Sequence, residues 1–144
     1  MKQITLRILH KGCWVSELTA KCKGVKLIHM GHYSVLKRTK QQLLIQSNWQ
    51  IRAKNKIQLD NFFAMLKKYS KIKSFDIVQR SDSRALIFVK YDIKYSQFEM
   101  ALRKGAIPGE PVVVENGVES WKKIYQLSPR EILELSGYQR LISK

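Results

Sequence analysis

The side chains that could carry chemistry are few. The 144-residue chain has two cysteines, three histidines and 11 carboxylates. Cys13, Cys22, His29 and His32 are of the types that bind zinc, in the order C-x8-C-x6-H-x2-H. The first spacing is wider than the two to four residues of usual zinc sites. If residues 13–23 form a helix, the two thiols lie about 13 Å apart along its axis and cannot grip one ion. His29 and His32 then read as an ordinary strand-end pair. Cys13, near a helix start, could act as a lowered-pKa nucleophile, but nothing places His10 beside it. Gly12-Cys13-Trp14-Val15-Ser16 is not a nucleophile elbow. Glu110, Glu115 and Glu119 surround a hairpin that reads as exposed. No Gly-rich phosphate loop or kinase motif occurs. The expectation is a protein without catalytic residues, metal or cofactor.

Binding chemistry is better represented. Residues 1–109 hold 22 Lys and Arg against 6 Asp and Glu, whereas residues 110–144 hold five of each. A field of that sign concentrates polyanions. Lys37, Arg38 and Lys40 precede the segment that carries Trp49; Arg52, Lys54 and Lys56 follow it; Lys67, Lys68, Lys71 and Lys73 crowd a helix end. These ten residues are the candidate nucleic-acid contacts. A solvated helix end that favours the dipole is the plainer account of the last four. No segment matches the paired aromatic signatures of an RNA-recognition sheet.

The elements that position these residues follow from periodicity. Ile4, Leu6 and Ile8 alternate, as in a half-buried strand. Lys11-Gly12 ends it, and Trp14, Leu18 and Cys22 give a short helix over 13–23. Strands follow at about 25–33 and 42–53, with Lys37-Arg38-Thr39-Lys40 as a basic connection and Asn55 as a turn. Leu59, Phe62, Phe63 and Leu66 line one face of a helix at about 58–70. Residues 73–80 and 84–91 make a hairpin around Ser81-Asp82-Ser83. A helix at about 95–104 stops at Gly105. A second hairpin over 112–121 turns on Asn116-Gly117, a pair suited to a type I′ turn. Ser128-Pro129-Arg130-Glu131 opens a last helix as a capping box, with Ile132, Leu135 and Ile142 turned inward and Gly137 weakening it. The first six elements read β-α-β-β-α-β. The expected fold is therefore α+β: a ferredoxin-like or ACT-like core over residues 1–91, extended by the helix, hairpin and last helix of 92–144 within one domain.

Three stretches carry a resemblance: His10 to Thr19, Ser83 to Lys90, and Gly105 to Trp121 with Pro111-Val112-Val113-Val114-Glu115-Asn116-Gly117. Together they resemble the N-terminal domain of archaeal regulators similar to the bacterio-opsin activator (Bat-type proteins), over nearly the whole chain. That resemblance implies a regulatory domain that precedes a DNA-binding helix-turn-helix. Leu127 to Glu131 is similar to the opening of that module, but about 13 residues follow it, too few for two helices and a turn. The resemblance and an ACT-like architecture imply a small-molecule effector and a homodimer. Cys13, Trp14, Trp49 and Trp121 are the candidate ligand-lining residues. The expected function is a ligand- or partner-binding domain of an archaeal transcription regulator; the alternative is a basic module that grips nucleic-acid phosphates directly. No apolar run approaches the roughly 18–20 residues of a membrane span, and the N-terminus lacks a signal-peptide pattern. A cytoplasmic protein with reduced thiols is expected.

Overall fold

Alternation of apolar and polar residues dominates the chain, and the computed structural model turns it into one nine-stranded sheet. It describes residues 3–10, 12–125 and 138–143. The order along the chain is β1 (Gln3–His10), α1 (Trp14–Lys21), β2 (Lys26–Arg38), β3 (Leu43–Arg52), α2 (Lys56–Lys68), β4 (Ile72–Arg80) and β5 (Arg84–Asp92). A 3₁₀ turn (Ile93–Tyr95), α3 (Gln97–Arg103), β6 (Ile107–Pro108), β7 (Val113–Glu115), β8 (Val118–Tyr125) and β9 (Tyr138–Ser143) complete it. The strands lie in the order β4-β5-β3-β2-β7-β8-β1-β9, with β6 beside β8.

Every described strand pair is antiparallel. This corrects the expected ferredoxin-like core. The Asn116-Gly117 hairpin lies between β2 and β1: β7 pairs with β2 (Leu27 opposite Val114), while β8 takes β1 (Leu6 opposite Trp121). Three antiparallel steps then separate β1 from β2, so the two run in opposite directions and cannot form a parallel β-α-β unit. Among the described elements, β3-α2-β4 is such a unit, split by β5, which pairs with both strands. Strands β6 to β9 thus belong to the same sheet as β1 to β5.

The turn itself follows the sequence. Asn116 and Gly117 have φ of 52° and 82°, as a type I′ turn requires. A Cβ on Gly117 would stand 3.0 Å from Ala20 Cβ, because the turn packs directly on α1. α2 is capped by the Asn55 side chain, which accepts from the Gln58 amide at 2.9 Å; the cap satisfies an otherwise orphaned donor. Leu59, Phe62, Phe63 and Leu66 are buried, as their spacing predicts. Two expectations need correction. Lys37 and Arg38 lie within β2 rather than in a connection, because the β2–β3 ladder runs on to Arg38 opposite Leu43. The capping box at Ser128, with Ile132 and Leu135, lies outside the described residues, and Ile142 belongs to β9 rather than a helix. Beyond Gly137 the chain takes up the second edge of β1.

The sheet has two unlike faces. Ile45, Trp49, Ile51, Ile87, Val89, Tyr91, Val114 and Trp121 point to one side, where they are buried in a single core with residues of all three helices. The alternate residues, including Gln50, Arg52, Arg84, Leu86 and Phe88, lie on the other side and are exposed or half-buried. Among the described residues, no helix is long and apolar enough to cross a membrane.

Candidate functional site

The polar content of the covered face is concentrated where α3 crosses β2, β3 and β5. His29 on β2, Ser47 on β3 and Glu99 on α3 are fully buried, as is the apolar ring system of Trp49 and Tyr91 around them. Burying such groups without partners would cost several kcal/mol, and each has partners. The Trp49 indole N–H donates to Ser47 Oγ at 2.7 Å. Ser47 and Tyr91 hydroxyls are 2.6 Å apart, and the Tyr91 hydroxyl donates to Glu99 Oε1. Because Tyr91 spends its proton on Glu99, Ser47 must donate to Tyr91. The hydrogen bonds therefore run one way, from Trp49 to the carboxylate. Ser96 Oγ donates to the other oxygen, Glu99 Oε2.

His29 closes the arrangement. The Gly31 amide donates to His29 Nδ1 at 2.8 Å, so the other ring nitrogen, Nε2, carries the hydrogen and donates to Glu99 Oε1 at 2.8 Å. The tautomer is fixed by what each nitrogen meets. Trp49 and Phe98 meet the imidazole edge-on, each with ring centroids 4.7 Å away. Glu99 thus receives hydrogen bonds from His29, Tyr91 and Ser96. Its charge and the burial of Tyr91 raise the tyrosine's pKa well above the ordinary value, burial being the larger cause.

A second buried carboxylate, Glu119, stands on β8. It accepts from Ser16 Oγ at 3.1 Å and from the Trp121 indole at 3.4 Å. Burial pushes its pKa up to about 7; hydrogen bonds from Ser16, Trp121 and Cys13 oppose the shift, and the charge of Glu99 adds to it.

One residue of the cluster, His29, stands beside a cavity although its own side chain is fully buried. His29, Met30, Gly31 and Phe98 line this cavity of about 230 Å³ together with residues 108–112. Groups of three or more side chains able to hold a metal ion do not occur among the described residues.

Of the candidate ligand-lining residues, Cys13, Trp14, Trp49 and Trp121 are all fully buried. They come together, but as the frame of the buried network: Trp14 packs on Trp49 and Tyr91 with centroids 5.4 Å apart, and Trp121 on Phe98 at 5.5 Å. None of the four lines a cavity described here. Two readings are overturned. His29 is not a strand-end residue but a buried partner of Glu99, and Glu119 is interior rather than on an exposed hairpin. The cysteines sit at opposite ends of α1, Cys13 at its N-cap and Cys22 at its C-cap.

The ten basic candidates do not form one patch. Lys37, Arg38 and Lys40, with Lys71 and Lys73, belong to the sheet end where Ile72 faces Tyr91 and Tyr91 faces Ile45; Lys67 and Lys68 close α2 just before that end. Arg52, Lys54 and Lys56 lie at the far end of β3, about 30 Å away at 3.4 Å per residue. Two have acidic partners: Lys56 binds Asp60 at 2.9 Å, and Lys71 binds Glu17.

An antiparallel sheet with three helices packed on it, and a buried acid–imidazole network beside a small cavity, define a mixed α+β domain. The chain belongs to the family described as HVO_2525_N, N-terminal, whose model matches residues 3–136. This family is consistent with an archaeal domain. No curated protein and no solved structure matches the chain.

Proposed function

We propose that this chain is the regulatory, effector-binding domain of an archaeal transcription regulator and acts by binding rather than by catalysis. The observation that carries the reading is the position of His29, a residue in the wall of a cavity whose imidazole is itself fully buried and donates to Glu99. A small effector seated there would reorganise a chain of hydrogen bonds that ties together β2, β3, β5 and α3. Such coupled polar networks have discrete arrangements, and that makes them suited to switching. The fully buried Cys13 cannot meet a substrate, and Glu99 already holds three donors, which supports binding over turnover. A family defined as N-terminal fits a sensor that hands its signal to another module.

The class of protein is tested by genome-wide transcript levels in cells lacking the gene and in cells with it restored. A discrete gene set that shifts on deletion and returns on restoration is expected. An unchanged transcript profile would remove the regulator reading.

A further inference from the structure

The uncovered sheet face holds an arrangement that the effector reading does not use. Arg52 on β3 stands directly opposite Arg84 on β5, and on its other side directly opposite Lys26 on β2. Adjacent strands lie about 4.8 Å apart, so three cations occupy one row across the sheet. Like charges placed directly opposite destabilise a strand pair. Lys26 meets Glu115 at 3.4 Å, but Arg52 and Arg84 have no acidic partner among the described residues. Two residues along the strands lies a row of two apolar side chains flanking an amide: Leu86, then Gln50, then Ile28, opposite one another in the ladder. Met30, 45% exposed, and Gln50 line two neighbouring cavities of about 620 and 550 Å³, the first walled also by Arg84 and the second by Arg52 and Lys26. Phe88 is half-buried on the same face, opposite Asn48.

We infer that this face binds single-stranded nucleic acid, with the Lys26–Arg52–Arg84 row on the phosphates and the Leu86, Met30 and Phe88 surface under the bases. The inference goes beyond the effector reading and stands independently of it. The Arg52–Arg84 pair has no acid among the described residues to neutralise it, and a phosphate laid along it would relieve the repulsion. The adjoining apolar floor suits exposed base faces, which pack on apolar and aromatic side chains without sequence preference. A duplex hides those faces, and the row presents no helix or ribbon to enter its major groove. Asp76, opposite Phe88, and Glu115, opposite Lys26, are acids on this face, with Glu110 at its rim and Asp82 in the turn before Arg84. They lie beside the row and do not break its Arg52–Arg84 centre.

The test is fluorescence anisotropy of a short, labelled, mixed-sequence DNA strand titrated with the full chain over a series of salt concentrations. The variants are Arg52→Gln/Arg84→Gln and, as an equal change in charge elsewhere, Arg103→Gln/Lys104→Gln at the exposed end of α3. The first should weaken binding about tenfold or more and reduce the salt slope by about 1.4, at about 0.7 per lost contact. The second should stay within about twofold of the wild type. Thermal melting of the first pair should be unchanged or higher, since a repulsion is removed; this separates lost contact from lost fold. Equal weakening by both pairs, no binding by the wild type at low salt, or equal affinity for duplex DNA would each overturn the inference.

Discussion

The two faces of the sheet are built from the same strands, and neighbouring residues on them have opposite fates. On β3, Ser47, Trp49 and Ile51 are buried beneath the helices, while Gln50 and Arg52 between and after them meet the uncovered side. On the covered face most polar groups lie in one connected set: Trp49, Ser47, Tyr91, His29 and Ser96 all discharge onto Glu99, while the Trp14 indole nitrogen and the Tyr69 hydroxyl are buried without a hydrogen-bond partner among the described residues. The uncovered face leaves Arg52 and Arg84 opposite each other without an acid. In a low-dielectric interior an unmet polar group is costly, and a charged one most of all. Beside water the same deficit costs a few tenths of a kcal/mol to about 1 kcal/mol, and leaves charge available to a partner.

The sharpest way to break this comparison is to exchange neighbours on one strand. Trp49→Ala should cost about 3–5 kcal/mol in urea unfolding, since a buried aromatic and its hydrogen bond are lost together. Gln50→Ala, one residue away, should stay within about 0.5 kcal/mol. Similar losses at both positions would mean that the faces are not distinct.

The Glu119 carboxyl gives a pH signature of comparable size. Its folded pKa is raised, to about 7 from 4.5, so between these values the folded state holds a proton that the unfolded state has released. Its contribution to stability is complete below about pH 4.5 and lost as pH rises to 7. The loss is about 3 kcal/mol at 1.36 kcal/mol per pKa unit. Glu119→Gln cannot ionise, so denaturation measured across that window should become flatter. An unchanged slope would place the titrating group elsewhere.

How much of this was legible follows from register. Val25, Leu27 and His29 alternate, so His29 shares the inward face of its strand. Likewise the Asn116-Gly117 turn sets Val114 opposite Glu119, which puts Glu119 inside with Val114 and Trp121. Both placements were available from period two and turn chemistry; reading His29 and Glu119 as surface groups gave residue type more weight than register. The helix faces were legible because 3.6-residue periodicity is local. The partners of β1 were not, since pairing with β8 joins residues more than a hundred positions apart, and nothing local distinguishes β8 from β3 as a neighbour. The meeting of α3 with β2, which creates the His29–Glu99 pair, is equally non-local. The basic residues were found by composition, but composition does not say which strands lie side by side, so Lys26 and Arg84 went unnoticed beside Arg52.

Within the covered network, Tyr91→Phe should cost about 1–3 kcal/mol, because Ser47 and Glu99 each lose a buried partner; chemical denaturation reads the difference. A cost near zero would show that water replaces the hydroxyl and that the one-way chain is not maintained. The smallest effect belongs to the uncovered face. Arg84→Gln removes one side of the Arg52 repulsion and should raise stability by about 0.2–1 kcal/mol at low salt, with the gain shrinking as salt is added. A loss instead would mean that Arg84 has a stabilising role in the free protein.

The effector reading rests on the cavity between His29 and residues 108–112, and it is tested most directly by filling it. Gly109 lines the cavity, so Gly109→Trp sets a large side chain at its wall. Transcript profiles should be compared in cells that carry the wild-type or Gly109→Trp gene, at matched protein levels and matched melting temperature. The account predicts that the variant changes the same gene set that responds to deletion of the gene. A profile indistinguishable from that of the wild type would contradict it.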